Sequence, residues 1–520
     1  MLNRTALLGL VLSLACSNFT AAVSEPDAVS EESASEPAPA PEPALRVATN
    51  TVGAEPIAAG ASGVVYVESP GVGEIAVQIV VPASPRYSEG APLVVVVPPF
   101  FTPKGGYETS PAAEDIGMIR VSLLWPGRAD RATGSQSGGE EDYGGPQSTQ
   151  ALRDVIRYAT GQVSDTDGLT INQRTAVEVA SGNVGVYAFS HPGIAATNVF
   201  AHHGAELGGV GWFIGYENPT TEALSAVEAG HWARGGAVEN PSYDPDKYSE
   251  DGLNIDYSTV GWAVSSDYPE GRPCFGRGQE YVLDRRVPRM WDKRYYSTAL
   301  LSALRDNGVF TAESWPEDLA TPEEAAEVWP YRSSVTKYKL VPGQLPELKV
   351  LLMFANKGHV QPSPSMPQVH HAYDGFHTRG GLWVRLNPDQ VYVDALSGTS
   401  GRYTEHDANT EPTSWKNASS WGFDPKSVPG GRAVFPMASV AEMADRMQAG
   451  SWDDDLSGTL FPTSTMSPPD DARPPRGDGA RPPRGDGARP PRGDKPPRGD
   501  RPTRGDKPPL GDKPPRGKRP

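Results

Sequence analysis

Near the start of the globular part of the chain, apolar residues first alternate with polar ones and then form continuous runs. The segments GVVYVES and EIAVQIVVPAS alternate on either side of PGVG, which predicts an antiparallel hairpin. The runs APLVVVVPPFF and IGMIRVSLLWPG are continuous, as in strands buried on both faces of a parallel sheet. The chain therefore begins its fold with an antiparallel edge and continues with buried parallel strands.

Helical periodicity follows the buried runs. GGPQSTQALRDVIRYATG places Ala151, Val155 and Ile156 at helical spacing and closes with Gly161. NVGVYAFS then predicts a strand, GIAATNVFAHHG a helix and LGGVGWFIGYE the next strand. This alternation predicts an α/β protein with a mostly parallel central sheet and helices on both faces.

A long irregular segment, about residues 218–344, interrupts the alternation and is rich in Trp, Tyr, Asp and Pro. It contains two predicted helices, at RYYSTALLSALRDNG and TPEEAAEVW. The alternation then resumes with LPELKVLLMFAN, a helix near SMPQVHHAYDGF, the strand GGLWVRLNP and the late helix SVAEMADRMQAG. Because no stretch within residues 44–467 has the composition of a linker, we predict one domain there, with the irregular segment as a cap, or lid.

The N-terminal residues carry a targeting signal. MLNRTALLGLVLSLAC, residues 1–16, has an early Arg4 and an apolar run that is too short to span a bilayer, which predicts a signal peptide. LSLAC resembles a bacterial lipobox, in which Cys16 becomes the lipidated N-terminus; ordinary cleavage after Ala22 is the alternative. Residues 17–43 predict a disordered acidic tether rich in Pro, Ala and Ser. We therefore expect an exported protein, either a cell-envelope lipoprotein held at the membrane by its lipid or a secreted protein.

The C-terminal residues 468–520 predict a disordered basic tail, because Pro and Gly recur in every repeat of the type RPPRGDGA. Residues 473–520 carry 15 Lys/Arg and 6 Asp, a net charge of +9, which leaves −26 for the rest of the chain. An acidic body argues against nucleic acid as a partner. We expect the tail to contact anionic surface polymers, and we interpret its Arg-Gly-Asp triplets as by-products of repeat expansion.

Metal and cofactor chemistry is not indicated by the sequence. The nine histidines are not spaced as metal ligands, and two cysteines cannot form a Cys-rich metal site. We therefore expect no metal and no cofactor.

Ser190 stands where the strand NVGVYAFS meets the following helix. A nucleophile at the tip of such a sharp turn needs small neighbours, and here Ala188 precedes it by two residues while Pro192 and Gly193 follow. The order of elements over residues 44–467 resembles the α/β-hydrolase fold, and AFSHPG falls where the nucleophile elbow of that fold belongs. The motif departs from Gly-x-Ser-x-Gly at both small positions, but a proline is compatible with the first turn of a helix.

The resemblance implies roles for the residues around Ser190. Ser190 would be the nucleophile. The oxyanion would be bound by the backbone N–H of His191 and by a second N–H from the loop PPFFTPKGG, where Phe100 and Phe101 can donate and we select Phe101.

The acid and the base of the expected triad are less evident. The family usually places Asp after the strand that follows the insert, but MFANKGHVQP has Gly358 and His359 there and no carboxylate. Some members take the acid from the end of the strand after the nucleophile helix, where FIGYENP offers Glu217; a turn or helix-capping residue is the alternative interpretation. The base should follow the last strand, and the first histidine there is His406. His359, predicted at the rim of the cleft, competes with it for this role, and so do three more histidines: His370, His371 and His377.

Two functions follow from these residues. The first is an exported serine hydrolase that cleaves an ester or amide bond in a small molecule or peptide. The second is a hydrolase-like domain that has lost its triad and serves as a surface binding module. In either case the insert would present its aromatic residues, which include Trp232, Trp262, Trp291, Trp315 and Trp329.

Overall fold

The structure, a computed structural model, describes residues 55–99, 106–219, 228–233, 236–244, 254–276, 280–283, 289–290, 293–358, 364–399 and 406–453. The predicted signal peptide, tether and repeat tail lie outside these residues. So do Cys16, Phe100, Phe101 and His359, and the predictions made for them stay predictions.

The strands of the described residues are short in the insert and longer in the central sheet. In chain order they are β1 (Ser62–Ser69), β2 (Gly73–Val80), β3 (Ala91–Val97), β4 (Ile119–Leu123), β5 (Ala129–Asp130), β6 (Ser135–Gln136), β7 (Val179–Phe189), β8 (Val210–Tyr216), β9 (Gly230–Ala233), β10 (Gly236–Glu239), β11 (Gly261–Ala263), β12 (Arg272–Phe275), β13 (Tyr281–Val282), β14 (Arg289–Met290), β15 (Lys293–Arg294), β16 (Lys349–Met353) and β17 (Trp383–Leu386).

The α-helices of the described residues lie partly between the strands of the central sheet and partly in the insert. They are α1 (Pro146–Ala159), α2 (Ile171–Arg174), α3 (Pro192–His203), α4 (Thr298–Asp306), α5 (Pro322–Val328), α6 (Val341–Gln344), α7 (Pro367–Tyr373), α8 (Gln390–Ser397) and α9 (Gly431–Ala449). Within the described residues, no helix is both long enough and apolar enough to cross a membrane.

Eight strands form the central sheet in the order β1-β2-β4-β3-β7-β8-β16-β17. The pairs β1/β2 and β2/β4 are antiparallel, and every later pair is parallel. The predicted hairpin and the predicted mostly parallel sheet are therefore confirmed. A crossover helix follows each of β4, β7 and β16, and the insert, which ends with α6, follows β8. The fold is therefore α/β-hydrolase-like.

Both faces of this sheet are covered. On one face, α1, α3, α6 and α7 pack on the strands through residues such as Val155, Phe200 and Val369. On the other face, α8 and α9 do so through Val393 and Phe435. The continuous valines of β3 are all buried because they contact both layers.

The insert has a hydrophobic core of its own. Leu300, Leu301 and Leu304 of α4 are buried together with Phe275 and Tyr281 of the small β11-β12-β13 sheet. Both predicted helices of the insert are present as α4 and α5. Its strands, of two to four residues each, have no periodic signature long enough to be read from sequence.

α8 was not predicted, and neither were the four-residue helices α2 and α6. α8 follows β17 directly; the side chain of Asp389 accepts a hydrogen bond from the backbone N–H of Val391 at 3.0 Å, and Gly398 ends the helix with a left-handed φ of 66°. This helix separates β17 from His406, so the histidine does not follow the last strand directly.

Candidate active site

Ser190 occupies a strained turn at the carboxyl edge of the sheet. Its φ is 66°, a left-handed conformation that non-glycine residues seldom adopt, and it joins β7 to α3. Its backbone N–H donates to the carbonyl of Tyr216 at 2.8 Å, and its own carbonyl accepts from Gly193 N–H at 3.0 Å. The turn therefore holds Ser190 in the geometry of a nucleophile elbow.

The first residues of α3 explain how this turn tolerates Pro192. His191 has helical backbone angles just before Pro192, the first residue of the helix, where a missing N–H leaves no bond unmade. In Gly-x-Ser-x-Gly the second glycine follows the serine by two residues, whereas here the position with no room for a side chain follows Ser190 by three. A Cβ on Gly193 would lie 1.9 Å from Cγ of Asn218. Gly193 is therefore the small residue that this elbow requires.

Asn218, which the sequence did not single out, fastens the turn. Its side-chain N–H₂ group donates to the carbonyl oxygens of Ala188 at 2.9 Å, Ser190 at 2.9 Å and Tyr216 at 3.1 Å. Two amide hydrogens thus serve three carbonyls on the ends of β7 and β8. The side chain fixes the strained turn from outside the nucleophile motif.

Glu217 lies at the next strand end and is only 4 % exposed. Its φ is 46°, and its backbone N–H donates to Met353 of β16 at 2.8 Å. One carboxylate oxygen, Oε1, accepts a hydrogen bond from the N–H of Ala355 at 3.1 Å. A carboxylate with such contacts is held in one orientation at the carboxyl edge.

Glu217 lies next to the turn after β16 in which the acid was expected. A Cβ on Gly358 would lie 3.6 Å from Oε1 of Glu217, which is van der Waals contact. The carboxylate of Glu217 therefore reaches from β8 into the turn where the sequence comparison with the α/β-hydrolase pattern led us to expect Asp.

His406 stands at the other end of the same edge. Asn409, three residues later, donates its N–H to the carbonyl of Val384 at 2.8 Å, on the outer side of β17. The ring of His406 stacks on Trp421 with 4.0 Å between centroids, and its Nε2 is buried without a hydrogen-bond partner among the described residues. Burial, and to a lesser extent the charge of Arg385, lower the pKa of His406, while Asp407 raises it.

Ser190 and the segment around His406 adjoin different strands of the sheet, β7 and β17. Two strands, β8 and β16, lie between β7 and β17, so about 14 Å of sheet separates the two strand ends at the usual strand spacing. The described contacts bring Ser190 and Glu217 to adjacent strand ends, and they place His406 against Trp421, whose carbonyl oxygen accepts a hydrogen bond from the side chain of Asn387 just after β17.

The three competing histidines are engaged in packing around α7. His371 Nε2 lies 3.1 Å from the carbonyl oxygen of Val335, and His370 stacks on Trp415 with 4.4 Å between centroids. Burial lowers the pKa of each to about 4. His377 Nδ1 lies 2.8 Å from the carbonyl oxygen of Leu382. These contacts are structural.

The tryptophans of the insert face its own core. Trp262, Trp315 and Trp329 are half-buried and pack against the insert's hydrophobic cluster. The indole N–H of Trp315 donates to the carbonyl of Leu319 at 3.2 Å, and Phe310 lies between Trp262 and Trp315 at centroid distances of 5.0 and 5.7 Å. The side chain of Trp232 and the whole of Trp291 lie outside the described residues.

Among the described residues, no group of three or more His, Cys, Asp or Glu side chains is placed to hold a metal ion.

No family model matches the chain, and no curated protein matches it significantly. Solved structures that it resembles include an esterase of Pyrobaculum calidifontis, at 14% identity over 76% of this chain and 87% of the esterase, with a TM-score of 0.32. They also include dipeptidyl peptidase 4 of Porphyromonas gingivalis, at 10% identity over 63% of this chain and 31% of the peptidase, with a TM-score of 0.31.

A puromycin-hydrolysing peptidase of Mycobacterium tuberculosis is similar at 10% identity, over 63% of this chain and 35% of the peptidase, with a TM-score of 0.32. The chain thus spans about a third of the length of these two peptidases. Because the TM-scores are low, the fold assignment rests on the strand order of the central sheet.

Proposed function

We propose that the protein is an exported serine hydrolase that cleaves an ester or amide bond in a small molecule or peptide, with Ser190 as nucleophile. The observation that carries the proposal is the left-handed turn at Ser190, between β7 and α3, with the carboxylate of Glu217 on the adjacent strand end. Strain of this kind at a polar residue is typical of active sites.

The reaction assigned to this site has two halves. Ser190 Oγ attacks the carbonyl carbon while a histidine takes the hydroxyl proton, and the histidine then gives that proton to the departing alcohol or amine. Water, deprotonated by the same histidine, releases the acid and restores Ser190. Glu217 would orient this histidine and balance its positive charge, and the N–H groups of His191 and Phe101 would bind the oxyanion.

The test is labelling with a fluorophosphonate probe, which reacts with an activated serine. We expect the wild-type protein to label and Ser190→Ala to lose labelling, because no other hydroxyl occupies the elbow. Ser181→Ala is the matched control, since Ser181 lies exposed at the other end of the same strand and should not affect labelling. Absence of labelling in the wild type, or labelling that survives in Ser190→Ala, contradicts the proposal.

The base is assigned by the same assay. His406 is the predicted base, and His359, adjacent in sequence to Gly358 and outside the described residues, is the competitor. Labelling lost only in His406→Asn or only in His359→Asn identifies the base, with exposed His202→Asn as control. If His406 is the base, its lowered pKa predicts that hydrolysis persists at a pH below the usual histidine range, because only the neutral ring accepts the proton.

The alternative, a binding module that uses the aromatic insert, predicts that neither histidine nor Ser190 matters to labelling. The inward packing of Trp262, Trp315 and Trp329 favours the hydrolase over this alternative.

We also propose export with lipidation at Cys16, on the signal-like pattern of residues 1–16. Mass spectrometry of the mature N-terminus should show a lipid-modified Cys16. A mature chain that begins after Ala22 would instead establish ordinary secretion.

A further inference from the structure

Phe189, the residue directly before Ser190, leaves 42 % of its side chain exposed. Single exposed apolar residues are common on protein surfaces and need no explanation by themselves. Phe189 differs from the other large exposed apolar residues of the described chain, Val238, Val264 and Leu340, because it adjoins the candidate nucleophile.

Phe189 begins a row of aromatic rings along the carboxyl edge of the sheet. Its ring lies 4.7 Å from that of Tyr216, and the ring of Tyr216 lies 5.9 Å from that of Phe423. Phe423 in turn stacks on Phe435 of α9 at 3.9 Å. We call Phe189, Tyr216 and Phe423 the aromatic row.

The backbone keeps the aromatic row at the level of the elbow. Phe189 is in register with Tyr216 on the neighbouring strand, and Phe423 forms a parallel bridge to Ala355, just beyond the end of β16. The row is exposed at Phe189, half-buried at Tyr216 and buried at Phe423. Phe189 thus packs on half-buried Tyr216, which in turn packs on buried Phe423, while its own outer face stays exposed.

Phe189 and Ser190 are consecutive residues with Cα atoms about 3.8 Å apart, so the exposed face of Phe189 belongs to the surface next to the candidate nucleophile. Apolar surface with a fixed polar group beside it is the usual composition of a small-molecule site.

We propose that the aromatic row is a substrate subsite and that Phe189 binds an apolar aliphatic or aromatic group of the ester or amide. The inference rests on the proposed hydrolase function and narrows its substrate class to compounds with such a group next to the scissile bond. Small polar substrates would gain nothing from this face.

The experiment compares short and long substrates on the full-length protein. One pair, p-nitrophenyl acetate and p-nitrophenyl hexanoate, varies the acyl side, and a second pair, methyl acetate and benzyl acetate, varies the alcohol side. In at least one pair we expect the wild type to prefer the larger apolar group in kcat/KM. Phe189→Ala should reduce kcat/KM for that compound about tenfold, the scale of an apolar group losing its contact, and change the small partner much less.

Two variants serve as controls. Phe189→Leu keeps an apolar surface and should retain most of the preference, whereas Val264→Ala removes a side chain that is 67 % exposed on the insert and should change nothing. Thermal melting checks that each variant is folded.

The outcomes separate the two proposals. A wild type that labels with fluorophosphonate and hydrolyses acetate, but shows no preference in either pair, overturns the subsite and leaves the hydrolase function intact. Equal loss for both members of a pair in Phe189→Ala also overturns the subsite. A wild type that neither labels nor hydrolyses any of the esters overturns both proposals.

Discussion

The central sheet and the insert use their polar and aromatic residues in opposite ways. At the carboxyl edge of the sheet, Ser190 and Glu217 are polar, nearly buried and in left-handed backbone conformations. In the insert, Trp262 and Trp315 pack inward on their own core. The difference agrees with the proposed function, which assigns the chemistry to the sheet edge, and Trp262 and Trp315 contribute to the core of the insert.

The largest effect should come from the carboxylate at the edge. Glu217→Gln keeps an oxygen for the N–H of Ala355 but removes the charge that would balance a protonated histidine. We expect kcat for p-nitrophenyl acetate to fall by about a thousandfold, with an unchanged melting temperature. Glu178→Gln, exposed near the opposite end of β7, is the control. Full activity in Glu217→Gln would assign Glu217 to the structure of the turn alone.

The insert carries a buried carboxylate whose predicted effect is on stability. Burial raises the pKa of Glu228 from 4.5 to about 7, although Tyr257 OH donates to its Oε2 at 2.5 Å. The folded state therefore holds a proton that the unfolded state releases between these two pH values, so stability falls as pH rises from 4.5 to 7.

Glu228→Gln should remove this dependence. We expect the difference in free energy of unfolding, variant minus wild type, to be on the order of 3 kcal/mol larger above pH 7 than at pH 4. Urea unfolding across this pH range measures it. Activity at a fixed pH should stay the same. A parallel pH dependence in both proteins would show that Glu228 does not titrate with folding.

Asn218 tests the comparison between the insert and the sheet edge. It lies at the start of the insert, but its side chain holds the turn at the sheet edge. Asn218→Ala leaves the strained turn without its three side-chain hydrogen bonds, so we expect kcat per titrated site to fall about 10- to 100-fold, the scale of a small misplacement of a reacting group, with KM little changed.

Asn198→Ala is the matched control for that variant. Its side-chain amide also donates to two carbonyls, those of Ile194 and Tyr331 at 2.9 Å each, but away from the elbow. It should lower the melting temperature without changing kcat. Equal kcat losses in the two variants would mean that both act through stability.

The smallest effect should come from an insert tryptophan. Trp315→Phe keeps the aromatic packing on Phe310 and loses the hydrogen bond to Leu319, at a cost of about 1 kcal/mol in the free energy of unfolding. Hydrolysis of p-nitrophenyl acetate should be unaffected. A large loss of activity in Trp315→Phe would mean that the insert's aromatic residues contribute to the active site, and it would contradict the contrast drawn between the insert and the sheet edge.

Much of the central fold could be predicted from the sequence because its signals are local. The valine run of β3 and the periodicity of α1 each span many residues, and the confirmed order of strands and helices follows from them. α8 was missed because a short helix directly after a buried strand has too few residues to show a period, although Asp389 and Gly398 are suitable caps.

The candidate site was harder to predict than the fold, because its residues are far apart in the sequence and come together only in the folded protein. The sequence predicted a strand-to-helix turn at Ser190, and the structure has that turn, but Asn218 carries no local signal beyond its position after Glu217. The relation between Glu217 and Gly358 joins two strands that are 141 residues apart in the chain. No motif within a single segment could have predicted this contact between Glu217 and the turn at Gly358.

The contact between Glu217 and the turn at Gly358 also bears on how this edge could change over evolution. An aspartate at residue 358 would begin its side chain against an existing carboxylate, and two like charges so close repel each other. If Glu217 is the acid, as the proposed function has it, moving that role to residue 358 would require the loss of Glu217 and the gain of Asp together, since either single step leaves two carboxylates or none. Such a paired change is rarer than a single substitution, so whichever placement arose first would tend to be kept.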